Sequence, residues 1–80
     1  MLFATYLKPD NGTDTDISFS KTYLIPNKTY EVERVDMGQS YTFITLKGLK
    51  GCFNSVQFEF SDKWGNLVDI YSDPQYNPYI

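Results

Sequence analysis

Eighty residues with a net charge of −3, no histidine and a single cysteine make one small domain without an internal disulfide or a histidine-built metal staple. The mild acidity argues against a nucleic-acid backbone as ligand, because that contact needs a basic face to displace counterions. Six Phe, seven Tyr and one Trp are the main core material, each burying about 150–250 Å², so apolar packing or a partner subunit must supply the stability.

Few strong helix formers and many β-branched and aromatic residues predict an all-β chain. Leu2 to Lys8 reads as a first strand. Pro9 to Asp16 (PDNGTDTD) is dense in turn formers and reads as a loop. Ile17 to Ile25 reads as one or two short strands, with Phe19, Tyr23 and Ile25 on one face, before Pro26-Asn27 punctuates the chain. Lys28 to Val35 alternates, with Tyr30 and Val32 on one face and Glu31 and Glu33 on the other. A break at Asp36-Met37-Gly38 precedes a strand over Tyr41 to Lys47, with faces Tyr41, Phe43, Thr45 and Thr42, Ile44, Leu46. After the turn over Lys47 to Gly51, Phe53 to Phe60 reads as one strand with Val56, Phe58 and Phe60 inward. Ser61 to Asn66 is a turn around Trp64-Gly65-Asn66. Leu67 to Tyr71 closes a C-terminal hairpin, and Asp73 to Ile80 (DPQYNPYI) forms an extended tail, since its prolines disfavour helix. The predicted architecture is a small antiparallel twisted sheet or partly open barrel. Its core lies in residues 28–60, its extra N-terminal strands in 1–27, and its hairpin and tail in 61–80.

No motif in the chain carries catalysis. Asp10, Asp14 and Asp16 lie beside Asn11 and Gly12, but the glycine does not follow EF-hand order, and a solvated turn explains the same composition. Cys52 has no histidine to act as base and reads as a small strand residue. Glu31, Glu33 and Glu59 fall on outward strand positions, where pairing with Lys or Arg34 accounts for them. Gly48 and Gly51 lack phosphate-loop spacing. No cofactor, metal or catalytic residue is expected.

The strand over Tyr41 to Lys47 is apolar on both faces, and a one-sided sheet needs only one. Tyr and Trp serve equally as binding anchors and as fillers of small cores. Tyr41, Phe43, Trp64, Tyr76 and Tyr79 are the candidate binding anchors, with Asp62, Asp69 and Asp73 as charges around them. Tyr76-Asn77-Pro78-Tyr79 is too rich in anchors for a frayed terminus; it packs back over the sheet or docks on another molecule.

Three segments together resemble an SH3-like barrel. Lys28 to Asp36 looks like the strand that leaves the diverging turn of that family, and Tyr41 to Leu46 like the strand that follows. Gly51-Cys52-Phe53-Asn54-Ser55 resembles the Gly-x-Phe-Pro-Ser segment that leads into a short helical turn, with Val56 and Phe58 as core residues after it. The family's peptide-binding tryptophan is replaced by Ser40-Tyr41, its proline by Asn54, and its Ala-Leu-Tyr opening is absent. Recognition of proline-rich peptides is therefore not carried over. In size and in its Gly-x-Phe-Asn-Ser-Val-x-Phe-Glu-Phe run, the chain also resembles small bacteriophage and prophage proteins. Phage proteins of this size and acidity are often inhibitors that cap a host defence protein, anti-CRISPR proteins among them.

These readings lead to a non-catalytic protein–protein interaction protein of the phage-inhibitor type. Its expected partner is a host protein such as a nuclease with a basic groove, towards which the acidic charge would steer it. The alternatives are a protein that sequesters a small ligand or nucleotide, and a homo-oligomeric phage structural or assembly component. Met1 leads directly into Leu2-Phe3-Ala4 without a basic segment or a long apolar stretch, so no membrane contact and a cytoplasmic location are expected.

Overall fold

A computed structural model describes all residues from Met1 to Ile80. Five antiparallel strands form a sheet of order β4-β3-β2-β1-β5. They are β1 (Phe3–Tyr6), β2 (Thr29–Met37), β3 (Thr42–Leu46), β4 (Phe53–Asn54) and β5 (Phe58–Ser61). β4 and β5 are the two edges of the sheet, joined by a 3-10 turn over Ser55–Gln57 and not by a ladder, so the sheet does not close into a barrel.

Period-two burial decides the faces. Leu2, Ala4 and Tyr6, then Ile44 and Leu46, then Phe58 and Phe60 all point to one side and are buried with Phe53, Leu24 and Ile70. Of these ten residues, five lie outside 28–60, so both terminal segments help to build the core. β2 departs from the predicted alternation. Its register shifts between Val32, opposite Leu46, and Arg34, opposite Thr45, which leaves Glu33 as the extra residue of a bulge. The bulge reverses the phase, so Val35 and Met37 join Tyr30 and Val32 in packing against the core. It also carries the strand through the expected break at Asp36-Met37. Glu31 pairs with Lys47 across the strands at 3.1 Å, whereas Arg34 pairs with Asp36 on its own strand at 2.9 Å.

Four expectations need correction. Ile17 to Ile25 is not strand: Asp14–Tyr23 is an α-helix, α1. Thr13 caps it, accepting from Asp16 N–H at 3.2 Å while Asp16 accepts from Thr13 N–H at 3.0 Å, a reciprocal pair that satisfies two otherwise orphan donors. Asp14 and Asp16 in the first turn and Lys21 in the last oppose the helix dipole, and Pro26 stands two residues beyond the C-cap Leu24. Phe53 to Phe60 is not one strand, because the 3-10 turn interrupts it and leaves Val56 exposed. Leu67 to Tyr71 makes only a single bridge, Ser61 to Leu67. The tail is a chain of turns and is not extended, with Tyr76 and Asn77 N–H groups both donating to the Asp73 carbonyl at 3.0 and 2.8 Å. Cys52 is exposed and precedes β4.

α1 lies against the β4 side of the sheet. Phe19 stacks on Phe53 with ring centroids 5.2 Å apart and lies directly over Gly51, where an added Cβ would come within 2.6 Å of its ring. Beneath the helix sits a buried polar cluster. Ser20 Oγ donates to Ile17 O at 3.1 Å, so its proton is committed. It therefore accepts from Tyr6 Oη at 3.0 Å and from Gln57 Nε2 at 3.0 Å. Gln57 Nε2 also reaches Pro9 O at 3.3 Å, while Gln57 Oε1 is buried without a partner. No helix is long and apolar enough to cross a membrane.

Candidate functional site

The largest concavity, about 550 Å³, opens where the chain leaves regular structure at one end of the sheet. Its volume falls in the range of about 300–1,000 Å³ typical of small-ligand sites. Three segments wall it. The first is the β2–β3 connection, Met37 to Thr42, closed by Gly38 N–H donating to Tyr41 O at 2.7 Å. A side chain at Gly38 would meet the Tyr41 ring at 3.0 Å, so glycine there lets the ring fold back across the turn. Tyr41 also packs on Phe43, with centroids 5.4 Å apart.

The second wall is the 3-10 turn. Asn54 Oδ1 accepts from Val56 N–H at 3.2 Å and Asn54 Nδ2 donates to Asp16 Oδ2 at 2.9 Å, which ties the cap of this turn to the cap of α1. The third wall is the tail. Ser55 and Tyr71 share a hydroxyl–hydroxyl bond of 2.5 Å, Asn77 Nδ2 donates to Tyr71 O at 2.7 Å, and Tyr79 N–H donates to Asn77 Oδ1 at 2.9 Å. Local side-chain bonds of this kind hold irregular backbone in a fixed shape.

Tyr41 and Tyr79 line the groove together with Tyr71; they are 58%, 56% and 44% exposed. The other candidates lie elsewhere. Phe43 is half-buried on the outer face of β3, and Tyr76 packs against the core. Trp64 stands alone on the turn after β5, 75% exposed, with Lys63 Nζ 4.6 Å above its ring. The apolar second face of β3 is thus not covered by a second layer, and Tyr41 stays mostly open.

Each candidate aspartate organises its own turn. Asp62 Oδ1 accepts from the N–H groups of Trp64 and Asn66, both at 2.9 Å. Asp69 accepts from Ser72 Oγ at 2.8 Å and from Tyr71 N–H at 3.0 Å. Asp73 accepts from Gln75 N–H at 2.9 Å. At Asp62 and Asp69 these bonds set the acidity. Desolvation would raise the Asp62 carboxyl, but the N–H groups of Asn66, Trp64 and Gly65 outweigh it and hold it below its ordinary range. The Ser72 hydroxyl, then Tyr71 N–H, lower Asp69. Asn54, then Thr13, lower Asp16 against a modest desolvation.

Besides Tyr71 and the apolar lining of Met37, Gly38 and Val56, the groove residues that sequence reasoning missed are Gln39, Ser40, Thr42, Asn54, Ser55 and Asn77. Only Asn77 carried a local signal, as the first residue of an Asn-Pro turn. The lining contains no Asp, Glu, Lys, Arg or Cys. Such a surface can recognise a molecule through hydroxyls, amides and ring faces, but it holds no acid–base pair or nucleophile–base pair. A family model described as bacteriophage T4 protein Y07B matches residues 1–80. No curated protein and no solved structure matches.

Proposed function

This chain belongs to the bacteriophage T4 protein Y07B family, and on that premise we propose that it is a non-catalytic binding protein acting in the host cytoplasm. Its target is a host protein, most concretely a defence nuclease, whose working face it covers sterically. The observation that carries this reading is the convergence of Tyr41, Tyr71 and Tyr79 from two separate segments around one groove, each on backbone held by local hydrogen bonds. Half-exposed tyrosines on fixed backbone are typical binding anchors, because little side-chain freedom is lost on docking. The net charge of −3 favours approach to a basic face and acts mainly on the association rate. The SH3-like reading of the core is supported by the five-strand antiparallel order and by the passage of Gly51–Ser55 into a short helical turn.

The test is affinity capture from host lysate with tagged wild-type protein and a Tyr41→Ser/Tyr79→Ser variant. Both tyrosines are more than half exposed, so the variant should fold and melt within a few degrees of wild type. One dominant host protein should co-purify with wild type and be lost with the variant, as expected when anchors worth about 2 kcal/mol or more are removed. Equal recovery by both proteins, or no reproducible partner, overturns the reading.

A further inference from the structure

We infer that the groove is a saccharide subsite, shaped to hold one neutral sugar ring against Tyr41 and Tyr79. The inference rests on reading the groove as the binding site and takes the part of the host target that enters it to be a sugar ring. Nine of its twelve lining residues carry neutral hydrogen-bonding side chains, and none carries a charge. A nucleotide or other phosphate ligand needs a cation or a cradle of main-chain N–H groups. A peptide that docks by its side chains needs apolar slots, and the groove offers only Met37 and Val56 as aliphatic surface, while the strand edge beside it, β4, is two residues long. A sugar ring needs what is present: flat apolar ring faces for its C–H face, and hydroxyls and amides that donate and accept around its rim.

The floor provides a second, independent observation. Thr42 is 94% buried, being 6% exposed, it lines the groove, and no side-chain hydrogen bond within the fold uses its hydroxyl. The hydroxyl is not fully buried, since Gln57 Oε1 is the one buried side-chain polar atom without a partner; it keeps solvent contact on a residue that lines the groove and is free to pair with a ligand there. Ser55, also on the floor at 2% exposed, is by contrast already paired with Tyr71. Gln39 at the rim is likewise free of internal bonds and is placed to reach a ring hydroxyl. Thr42 is thus the fixed polar contact, Tyr41 and Tyr79 are the stacking faces, and Gln39 is the adaptable one.

The experiment is a titration of the isotope-labelled full chain, followed by amide NMR, with glucose, galactose, mannose and N-acetylglucosamine separately. Each is taken to about 50 mM, which at least half-saturates any site with a Kd at or below that value. At least one sugar should shift the amides of residues 39–42 and 54–56 saturably. Thr42→Val, which keeps the branched shape and removes the hydroxyl, should weaken that sugar about fivefold or more, and Thr42→Ser should retain binding. Tyr41→Ala should abolish binding while its melting temperature stays within a few degrees of wild type. The proposal is overturned if none of the four sugars gives a saturable shift, if Thr42→Val binds as well as wild type, or if glucose 6-phosphate or a neutral proline-rich peptide binds the same residues more tightly. If the sugars fail while Tyr41→Ser/Tyr79→Ser still loses the captured host protein, only the saccharide assignment falls. If both experiments fail, the groove is not a binding site.

Discussion

Asp16 should couple the helix to the groove, and removing it tests how the two are held together. One oxygen, Oδ2, accepts from Thr13 N–H at 3.0 Å and from Asn54 Nδ2 at 2.9 Å. Asp16→Ala deletes half of the reciprocal cap of α1, a negative charge in its first turn, and the partner of Asn54. Loss of a capping side chain costs about 0.5–2 kcal/mol, and the charge at a helix N-terminus contributes about 0.3–1 kcal/mol. The bond to Asn54 is partly exposed, so it adds at most about 1 kcal/mol. These contributions overlap, and a net loss of about 2 kcal/mol is expected. For a domain of this size about 4–8 °C of melting temperature goes with each kcal/mol, which gives a fall of roughly 8–16 °C. Circular dichroism melts at pH 7 read it, and urea midpoints should move without a change in slope.

Two further readouts separate coupling from a local helix effect. In a double-mutant cycle with Asn54→Ala, the two losses should fail to add by about 0.5–1 kcal/mol. The pH dependence follows from the sign of the shift. The Asp16 carboxyl is held below its ordinary value of 3.8 in the folded state, first by Asn54 and then by Thr13. Its contribution is therefore fully present above that value and is lost as pH falls through the lower folded value. The melting difference between wild type and Asp16→Asn should stay flat from about pH 7 to 5 and shrink below about 4. A melting temperature for Asp16→Ala within about 2 °C of wild type, or strict additivity with Asn54→Ala, would refute the coupling.

Gly51 and Gly48 both have positive φ, +88° and +83°, but only Gly51 lies under a side chain, the Phe19 ring. Gly48→Ala should cost about 1 kcal/mol of backbone strain alone, and Gly51→Ala clearly more, because Phe19 must leave Phe53; equal losses in chemical denaturation would mean that α1 is not seated on β4 as described. Gln57→Glu places a carboxyl in the buried cluster against Pro9 O and Ser20 Oγ. Burial raises the folded pKa of that group, so the variant should be near wild type below the unfolded value of about 4.3 and lose several kcal/mol as pH rises towards 7; a penalty independent of pH would contradict the buried placement.

The strands were legible where one face is buried and the other is not. Phe3–Tyr6, Thr29–Met37 and Thr42–Leu46 fall within two residues of their predicted bounds, because alternation directly records a sheet against a core. The helix was not legible, since Ile17, Phe19 and Tyr23 favour strands and its only fully buried residue is the small, polar Ser20. A helix that buries so little leaves no apolar stripe to read. The spacing Thr13-x-x-Asp16 was the available signal. Val56, Phe58 and Phe60 gave a false one, since a single 3-10 turn between β4 and β5 preserves the look of alternation while turning Val56 outward. The resemblance to SH3-like barrels placed a helical turn there, whereas the periodicity of the residues alone did not.

The groove was half legible for a related reason. Tyr41 and Tyr79 stood out by residue type, but what brings them together is long-range, since the tail must cross the 3-10 turn through Ser55 and Tyr71. The polar residues between them looked like ordinary turn formers, and in sequence terms Thr42 is simply the second residue of a strand, on the face of Ile44 and Leu46. Its burial follows from its place opposite Met37, the last residue of β2, and β2 reaches Met37 in the inward phase only because of the bulge at Glu33. Were Glu33 paired in an unbulged ladder, the alternation of Tyr30 and Val32 would continue to Arg34 and Asp36, and two charges would face the core side at this end of the sheet. The neutral floor of the groove therefore depends on the bulge at Glu33, nine positions before Thr42. A deletion of Glu33 should therefore straighten β2 while leaving Val35 opposite Ile44 and Met37 opposite Thr42, so the NMR signals of Val35, Met37 and the groove residues should all persist, and loss of either set would break that link.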